Sequence, residues 1–111
     1  MTDYGSSTDL GYLITPITND VSSNLKSYAL EVSTTWVNSK VGHAISGTVP
    51  DAVEKAATYY AYVFILKNLF DTMGTEDPMM DWYEKQAIDL LGSYIESIAS
   101  EESTIHPYSG N

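Results

Sequence analysis

Residues 49–70 read VPDAVEKAATYYAYVFILKNLF, and this stretch decides the fold. Pro50 suits the first position of a helix because that position needs no backbone N–H, and two acids follow it near the positive end of the helix dipole. The second half of the stretch is apolar on nearly every face. Such a helix must be covered by other helices or by other copies of the chain. The sequence therefore predicts a central helix that begins at Val49 or Pro50 and ends near Thr72.

Two faces of this predicted helix are apolar. One face combines small and large residues: Val53, Ala56, Ala57, Tyr60, Val63 and Phe64, with Leu66 at its margin. Flanking helices of the same chain can cover one face, and tyrosine is favoured at contacts with wet edges between proteins. We therefore expect the second face to stay exposed and to form a subunit interface through Tyr59, Tyr62, Ile65 and Leu69.

A long amphipathic helix is predicted before the central one. Apolar residues recur there at helical spacing, at Val21, Leu25, Tyr28, Ala29, Val32 and Trp36. Serine, threonine, asparagine and charged residues occupy the opposite face. Thr18, Asn19 and Asp20 offer oxygens that can cap the helix at its start, and Gly42 marks its end. The short connector that follows makes this helix antiparallel to the central one.

A third long helix is predicted after the central one. Asp77 and Pro78 supply a capping carboxylate followed by proline at the first helical position. The helix is expected to end near Ser100. Its predicted inner face consists of Met79, Met80, Tyr83, Ala87, Leu90, Leu91, Tyr94, Ile95 and Ile98.

The two ends of the chain lack helical periodicity. Residues 1–17 predict a loose N-terminal arm with a possible short helical turn near Leu10 to Ile14, and residues 101–111 predict an extended C-terminal tail. Residues 18–100 form the helical domain between them. The predicted fold is therefore all-α, with three long helices in a small antiparallel bundle, an extended arm and an extended tail.

Composition excludes several classes of function. Fifteen acids against five basic residues, all lysine, give a formal net charge of −10, and arginine and cysteine are absent. Without a basic cluster or the guanidinium fork, sequence-specific nucleic-acid binding is not expected. Without cysteine, disulfides and Cys-ligated metal are excluded. The longest apolar run is far shorter than the roughly 20 residues of a membrane span, and the N-terminus does not read as a signal peptide.

No group of residues predicts a reaction, a metal or a cofactor. His43 and His106 lie in a loop and in the tail, without a partner at metal-binding spacing. Asp77, Asp81 and Glu84 have helical spacing that can hold a cation, but this pattern is also typical of a solvated acidic helix face. We expect no enzymatic activity, no cofactor and no metal site.

The order of features resembles that of the head–tail connector (adaptor) proteins of tailed viruses. The resemblance covers the arm, a helix that ends at a glycine loop, and a Pro-started helix of the pattern VP-D-x-V-x-x-AA. The residues that carry it are Tyr4, Asp9 and Leu10 in the arm, Pro50, Ala56 and Ala57 in the central helix, and Trp82, Tyr83 and Ala87 in the third helix.

The resemblance implies a structural virion protein, made in the host cytoplasm, that docks beneath the portal protein and meets tail or stopper proteins. It implies a ring of about twelve copies that lengthens the DNA channel. DNA would pass only as cargo, along an acidic lumen that does not grip it. Within this interpretation the tail residues expected to contact the portal are Ile105, His106, Pro107 and Tyr108. The alternative is a dimeric cytosolic helical-bundle module with an interaction or regulatory role.

Overall fold

The computed structural model describes residues 3–15, 21–70 and 78–105, and the regular structure within them is entirely helical. The all-α prediction is therefore confirmed. One helix more than predicted is present, because eight residues of the N-terminal arm form a complete short helix. The four helices are α1 (Ser7–Ile14), α2 (Ser23–Val41), α3 (Asp51–Phe70) and α4 (Pro78–Ile105).

Helix α3 is the centre of the fold and contacts all three other helices. Trp36 of α2 stacks on Tyr60 of α3, whereas Tyr28, two turns earlier in α2, meets Phe64, one turn later in α3. Helices α2 and α3 are therefore antiparallel, as the short connector predicts. Because α3 is covered from three directions, it contributes small residues that allow close packing: Ala56, Ala57 and Ala61 are fully buried.

The bounds of α2 are set by local capping. Gly42 follows the last helical residue with a φ of 97°, and its N–H donates to Asn38 O at 2.8 Å. The predicted glycine end is confirmed, since a left-handed cap favours glycine. The predicted start is wrong: Ser22 is the N-cap and its Oγ accepts from the N–H of Leu25, whereas residues 16–20 lie outside the described part of the chain.

The buried side of α2 is rotated from the predicted stripe. Ser33 and Thr34, expected on the polar face, are fully buried, while Tyr28 is more than half exposed. Both hydroxyls donate to Leu30 O, at 2.8 Å and 3.0 Å. Small polar side chains can enter a core when their hydroxyl groups are satisfied within the helix, and this is why periodicity of apolar residues alone misplaced the face.

Helix α4 begins at Pro78 as predicted but extends beyond Ser100 to Ile105. Residues 101–105 are therefore helical, not extended. The predicted inner face is confirmed for its described members: Met80, Ala87 and Leu91 are buried, and Tyr83, Leu90, Tyr94, Ile95 and Ile98 are partly buried.

The N-terminal segment is packed into the bundle, so the prediction of a loose arm is wrong. Tyr4, Leu10 and Ile14 are buried. Ser6 caps α1 through its Oγ, which accepts from the N–H of Asp9. The pair Ser6 and Asp9 has the spacing of a capping box, and Leu10 with Ile14 has helical spacing, so a local signal for α1 was present.

Two buried threonines hold the backbone of this segment. The N–H of Tyr4 donates to Thr34 Oγ1 of α2 at 3.1 Å, and the N–H of Ser6 donates to Thr58 Oγ1 of α3 at 2.9 Å. Gly5 lies between them, and a Cβ there would stand 2.8 Å from Leu30 Cδ2 and 3.2 Å from the Thr58 nitrogen. Only glycine allows the segment to lie this close to both helices.

Candidate functional site

Two unlike surfaces flank α3, and successive residues of that helix point to them. Tyr59 and Tyr60 are separated by about 100° around the helix axis, so they face different neighbours. Tyr60 lines a groove between α2 and α4, and Tyr59 lines a smaller depression between α1 and α3. We call these the α2/α4 groove and the α1/α3 depression.

The α2/α4 groove lies where both helices pack mainly on α3. It encloses about 430 Å³ and its walls are mainly apolar. The stacked rings of Trp36 and Tyr60, with centroids 4.3 Å apart and planes 12° apart, form one side. The lining residues are Trp36, Lys40, Tyr60, Glu84, Ile88, Leu91, Gly92 and Ile95.

Three of the lining residues, Ile88, Gly92 and Lys40, determine the shape and the charge that this groove presents to solvent. Ile88 is 55% exposed although it is a large aliphatic residue. Gly92 lies in the interior of α4, where a Cβ would meet no atom within 4 Å. Lys40 forms no ion pair with any residue that the structure describes, whereas Glu84 is bound by Lys67 at 3.0 Å. The groove therefore offers apolar contact area with a single uncompensated positive charge at its edge.

The α1/α3 depression is smaller, about 250 Å³, and is lined by Asp9, Tyr12, Leu13, Lys55, Thr58 and Tyr59. Tyr12 projects from α1 and is 74% exposed, the largest exposed fraction among the described large apolar residues. This surface is dominated by a protruding side chain, whereas the α2/α4 groove is concave. The two surfaces therefore differ in shape and charge.

A chain of aromatic contacts links α3 to α4 beside Tyr59. Tyr83 meets both Tyr59 and Tyr62 edge-to-face, with centroids 5.1 Å and 5.0 Å apart. Trp82 packs against Tyr83 at 4.9 Å and is still half exposed. Edge-to-face pairs are favoured by the ring quadrupoles, so these contacts hold Trp82 in place on the surface.

The residues predicted to form a subunit interface are not all accessible. Tyr62 is 4% exposed and Ile65 is fully buried, because α1 and α4 cover that side of α3. Their expected exposure is wrong. Tyr59 reaches the surface, and the side chain of Leu69 lies outside those the structure describes. An interface through Tyr59 stays a prediction.

The predicted portal-contacting tail lies almost entirely outside the described residues. Ile105 is the last residue of α4, and His106, Pro107 and Tyr108 follow beyond the described part of the chain. The surface residues that sequence reasoning missed are Tyr12, Lys40, Ile88 and Gly92. Ile88 interrupts the polar side of α4, and that interruption was the available signal.

Neither a metal site nor a membrane span is found in the described part of the chain. Within residues 3–15, 21–70 and 78–105, no three His, Cys, Asp or Glu residues are grouped as metal ligands. No described helix is both long enough and apolar enough to cross a bilayer. Of the sequence candidates, His43 places Nδ1 2.9 Å from Ala44 O, Asp81 is exposed, and Asp77 and His106 are not described.

Comparison with known proteins finds no matching family model, no matching curated protein and no matching solved structure. Function is therefore inferred from the two surfaces flanking α3, from the distribution of charge, and from the sequence resemblance. None of these three features involves a catalytic residue.

Proposed function

We propose that this chain is a structural subunit of a virus particle, a head–tail connector that assembles as a ring of about twelve copies between portal and tail. The observation that carries the proposal is the pair of unlike surfaces on α3. A closed ring uses two different patches on each subunit, whereas a two-fold dimer pairs one patch with itself. A concave groove and a protruding tyrosine on the same small chain fit the first arrangement.

Exposed apolar side chains support assembly. Tyr12, Tyr28, Trp82 and Ile88 are each at least half exposed. Aromatic residues are enriched in the buried centres of protein interfaces. They lie on three different helices, so they mark more than one contact area. This distribution suits a subunit with a neighbour on each side.

The acidic outer side of α4 supports passage of DNA without binding. Asp81, Asp89 and Glu96 are exposed there, about two helical turns apart in each step, and the exposed Lys85 lies among them, so acids outnumber bases by three to one. Negative side chains repel phosphates and suppress the counterion release that drives non-specific DNA binding. In our proposal this side of α4 lines the channel, so that packaged DNA slides past it.

The remaining parts of the proposal follow from the resemblance. The chain is made in the host cytoplasm and resides in the virion, with the portal protein on one side and tail or stopper proteins on the other. The residues that contact the portal are the tail residues Ile105, His106, Pro107 and Tyr108. The role is mechanical, without enzymatic activity or a cofactor.

The test is native mass measured over a wide range of protein concentration. A closed ring of many copies is the expected result. A dimer that persists over the whole concentration range, with no larger species, would contradict the proposed connector function. For a chain that remains monomeric, gene order decides: a coding region directly after the portal and capsid genes supports assembly on the portal, and one beside metabolic genes contradicts it.

A second candidate is a dimeric helical-bundle module with an interaction or regulatory role. The α2/α4 groove favours it, because apolar grooves between helices can accept an amphipathic helix of a partner. The same native-mass experiment separates the two functions. An isologous dimer would support the module, and a ring would exclude it as the main state.

A further inference from the structure

We propose that Tyr12 of one copy inserts into the α2/α4 groove of the next copy, and that Asp9 of the first copy pairs with Lys40 of the second. This contact rests on the proposed ring, because it names the two patches through which neighbouring subunits meet. The occupant of the groove is therefore a second copy of this chain.

Tyr12 and Asp9, the two residues that we propose as the inserting element, project from the surface of their own subunit. Tyr12 makes no ring contact with any described aromatic residue and exposes three quarters of its surface. Asp9 lies three residues earlier, on the same side of α1, and its carboxylate forms no ion pair within the described residues. Lys55 lines the same depression without pairing with it. An aromatic ring and a free carboxylate thus project together.

The receiving element has the matching chemistry. The stacked rings of Trp36 and Tyr60 present an aromatic wall, and Ile88 and Ile95 present an aliphatic one. A phenol ring between such walls gains both edge and face contacts. Lys40 at the edge is the unpaired cation of the groove, and in a chain with a net charge of −10 its natural partner is a carboxylate.

Gly92 leaves room in the groove for a side chain of another copy. Glycine in the middle of a helix is unfavourable relative to alanine, and nothing within the described residues requires it here, since a Cβ would be in open space. Because Gly92 has no Cβ, the groove is deeper beside Ile88 and Ile95. Gly11, next to Tyr12, has the same property on α1. Because neither glycine has a side chain, the two surfaces can approach each other closely at these positions.

Charge explains why the contact is specific. Copies of a strongly acidic chain repel one another at long range. An aligned Asp9 and Lys40 pair is attractive only in the correct register, so it selects this approach over others. Each copy carries one projecting element and one groove on different sides of α3, so the contact can be repeated from copy to copy.

The test uses the absence of native cysteine. Copies with Asp9→Cys are mixed with copies with Lys40→Cys at high concentration and treated with a short bis-maleimide cross-linker, which replaces the length of the lysine side chain that a direct disulfide could not span. The expected product is a cross-linked pair of one copy of each. The matched control replaces the second variant with Lys26→Cys, a partly exposed lysine about four helical turns before Lys40 on α2. Absence of the Lys40→Cys product, or equal yield with Lys26→Cys, would overturn the proposal.

A charge exchange gives a second measurement. Asp9→Lys or Lys40→Asp alone is expected to weaken self-association about tenfold, and the two together are expected to restore much of it. Tyr12→Ala is expected to weaken association by at least as much, whereas Tyr12→Phe, which keeps the ring, is not. Sedimentation measures these effects, and circular dichroism checks that each variant is folded.

The outcomes separate this contact from the connector itself. Rings that form equally well with Asp9, Tyr12 and Lys40 altered would overturn the contact and leave the connector in place. A wild-type chain that forms only a two-fold dimer would contradict the connector. A cross-linked Asp9→Cys and Lys40→Cys pair without rings would support the contact and leave the ring to form on the portal.

Discussion

The phenol oxygen of Tyr4 lies 2.8 Å from Oδ1 of Asn38 and donates its proton to it. The same oxygen accepts a hydrogen bond from the N–H of Ile45, also at 2.8 Å. One side chain near the start of the chain therefore ties the last turn of α2 to the connector that leads into α3. Residues separated by more than thirty positions are joined through a single hydroxyl.

Tyr4→Phe tests this tie. The substitution keeps the ring in the core but removes both hydrogen bonds, leaving the Ile45 N–H without its partner. We expect the free energy of unfolding to fall by about 1–3 kcal/mol, measured by urea denaturation. Tyr12→Phe is the matched control, because its side chain is mostly exposed, and it should change stability by less than about 0.5 kcal/mol. Equal effects of the two changes would contradict the structure.

Gly5→Ala and Gly11→Ala should have opposite effects on stability. A Cβ at residue 5 meets Leu30 and the backbone of α3, so we expect a loss of about 1–3 kcal/mol from overpacking. A Cβ at residue 11 meets nothing within 4 Å and improves helix propensity, so we expect a gain of about 0.5–1 kcal/mol. Thermal unfolding of both variants measures the difference. A stabilising Gly5→Ala would show that the N-terminal segment does not lie between α2 and α3.

Thr58→Val tests the support of the segment by α3. Valine preserves the shape of the side chain but cannot accept from the Ser6 N–H, so we expect a loss of about 1–2 kcal/mol. Thr35→Val, on the exposed side of α2, is the control and should change stability little. Hydrogen exchange gives a second readout. Amides of α1 should exchange faster in Thr58→Val than in the wild-type chain, whereas Thr35→Val should leave their exchange unchanged. Unchanged exchange in α1 would mean that this hydrogen bond does not hold the segment.

Asp89→Lys combined with Glu96→Lys tests the proposed channel lining. If the outer side of α4 faces the lumen, assembled rings of this variant should bind DNA that has threaded through them, with affinity that falls steeply with salt. Threading needs a free end, so the rings should bind linear duplex and not a closed circle of the same sequence. Gel retardation at several salt concentrations measures this.

The control for the lumen carries the same change of charge on other helices. Glu31→Lys combined with Glu54→Lys places two lysines on exposed positions of α2 and α3. These rings should bind linear and circular DNA equally, because contact from outside needs no free end. If the α4 variant also binds both forms equally, the acidic side of α4 does not line a channel.

Local chemistry was sufficient for much of the helical framework. Pro78 and Gly42 were predicted as helix boundaries and lie at them, because proline lacks an N–H and glycine accepts a left-handed φ whatever surrounds them. The inner face of α4 was also predictable, since its apolar residues repeat at helical spacing. These features depend on neighbours within a few positions along the chain.

Contacts between distant residues could not be predicted in the same way. The burial of Ser33 and Thr34 depends on hydrogen bonds that make small hydroxyl side chains acceptable in a core, and the Tyr4 N–H reaches Thr34 across thirty positions. Likewise, Tyr62 and Ile65 are buried because α1 and α4 cover them. Periodicity shows that an apolar residue lies on one face of a helix, but it does not show which other helix will cover that residue.

The sequence by itself determined an all-helical chain, a central apolar helix and the helix boundaries at Gly42 and Pro78, because propensity, capping and periodicity act locally. Only the tertiary structure decided which apolar residues remain outside. The α2/α4 groove arises because α2 and α4 both pack mainly on α3, and Tyr12 projects because α1 uses Leu10 and Ile14 for the core. Both surfaces are products of how helices are placed, and helix placement depends on contacts summed over the whole chain.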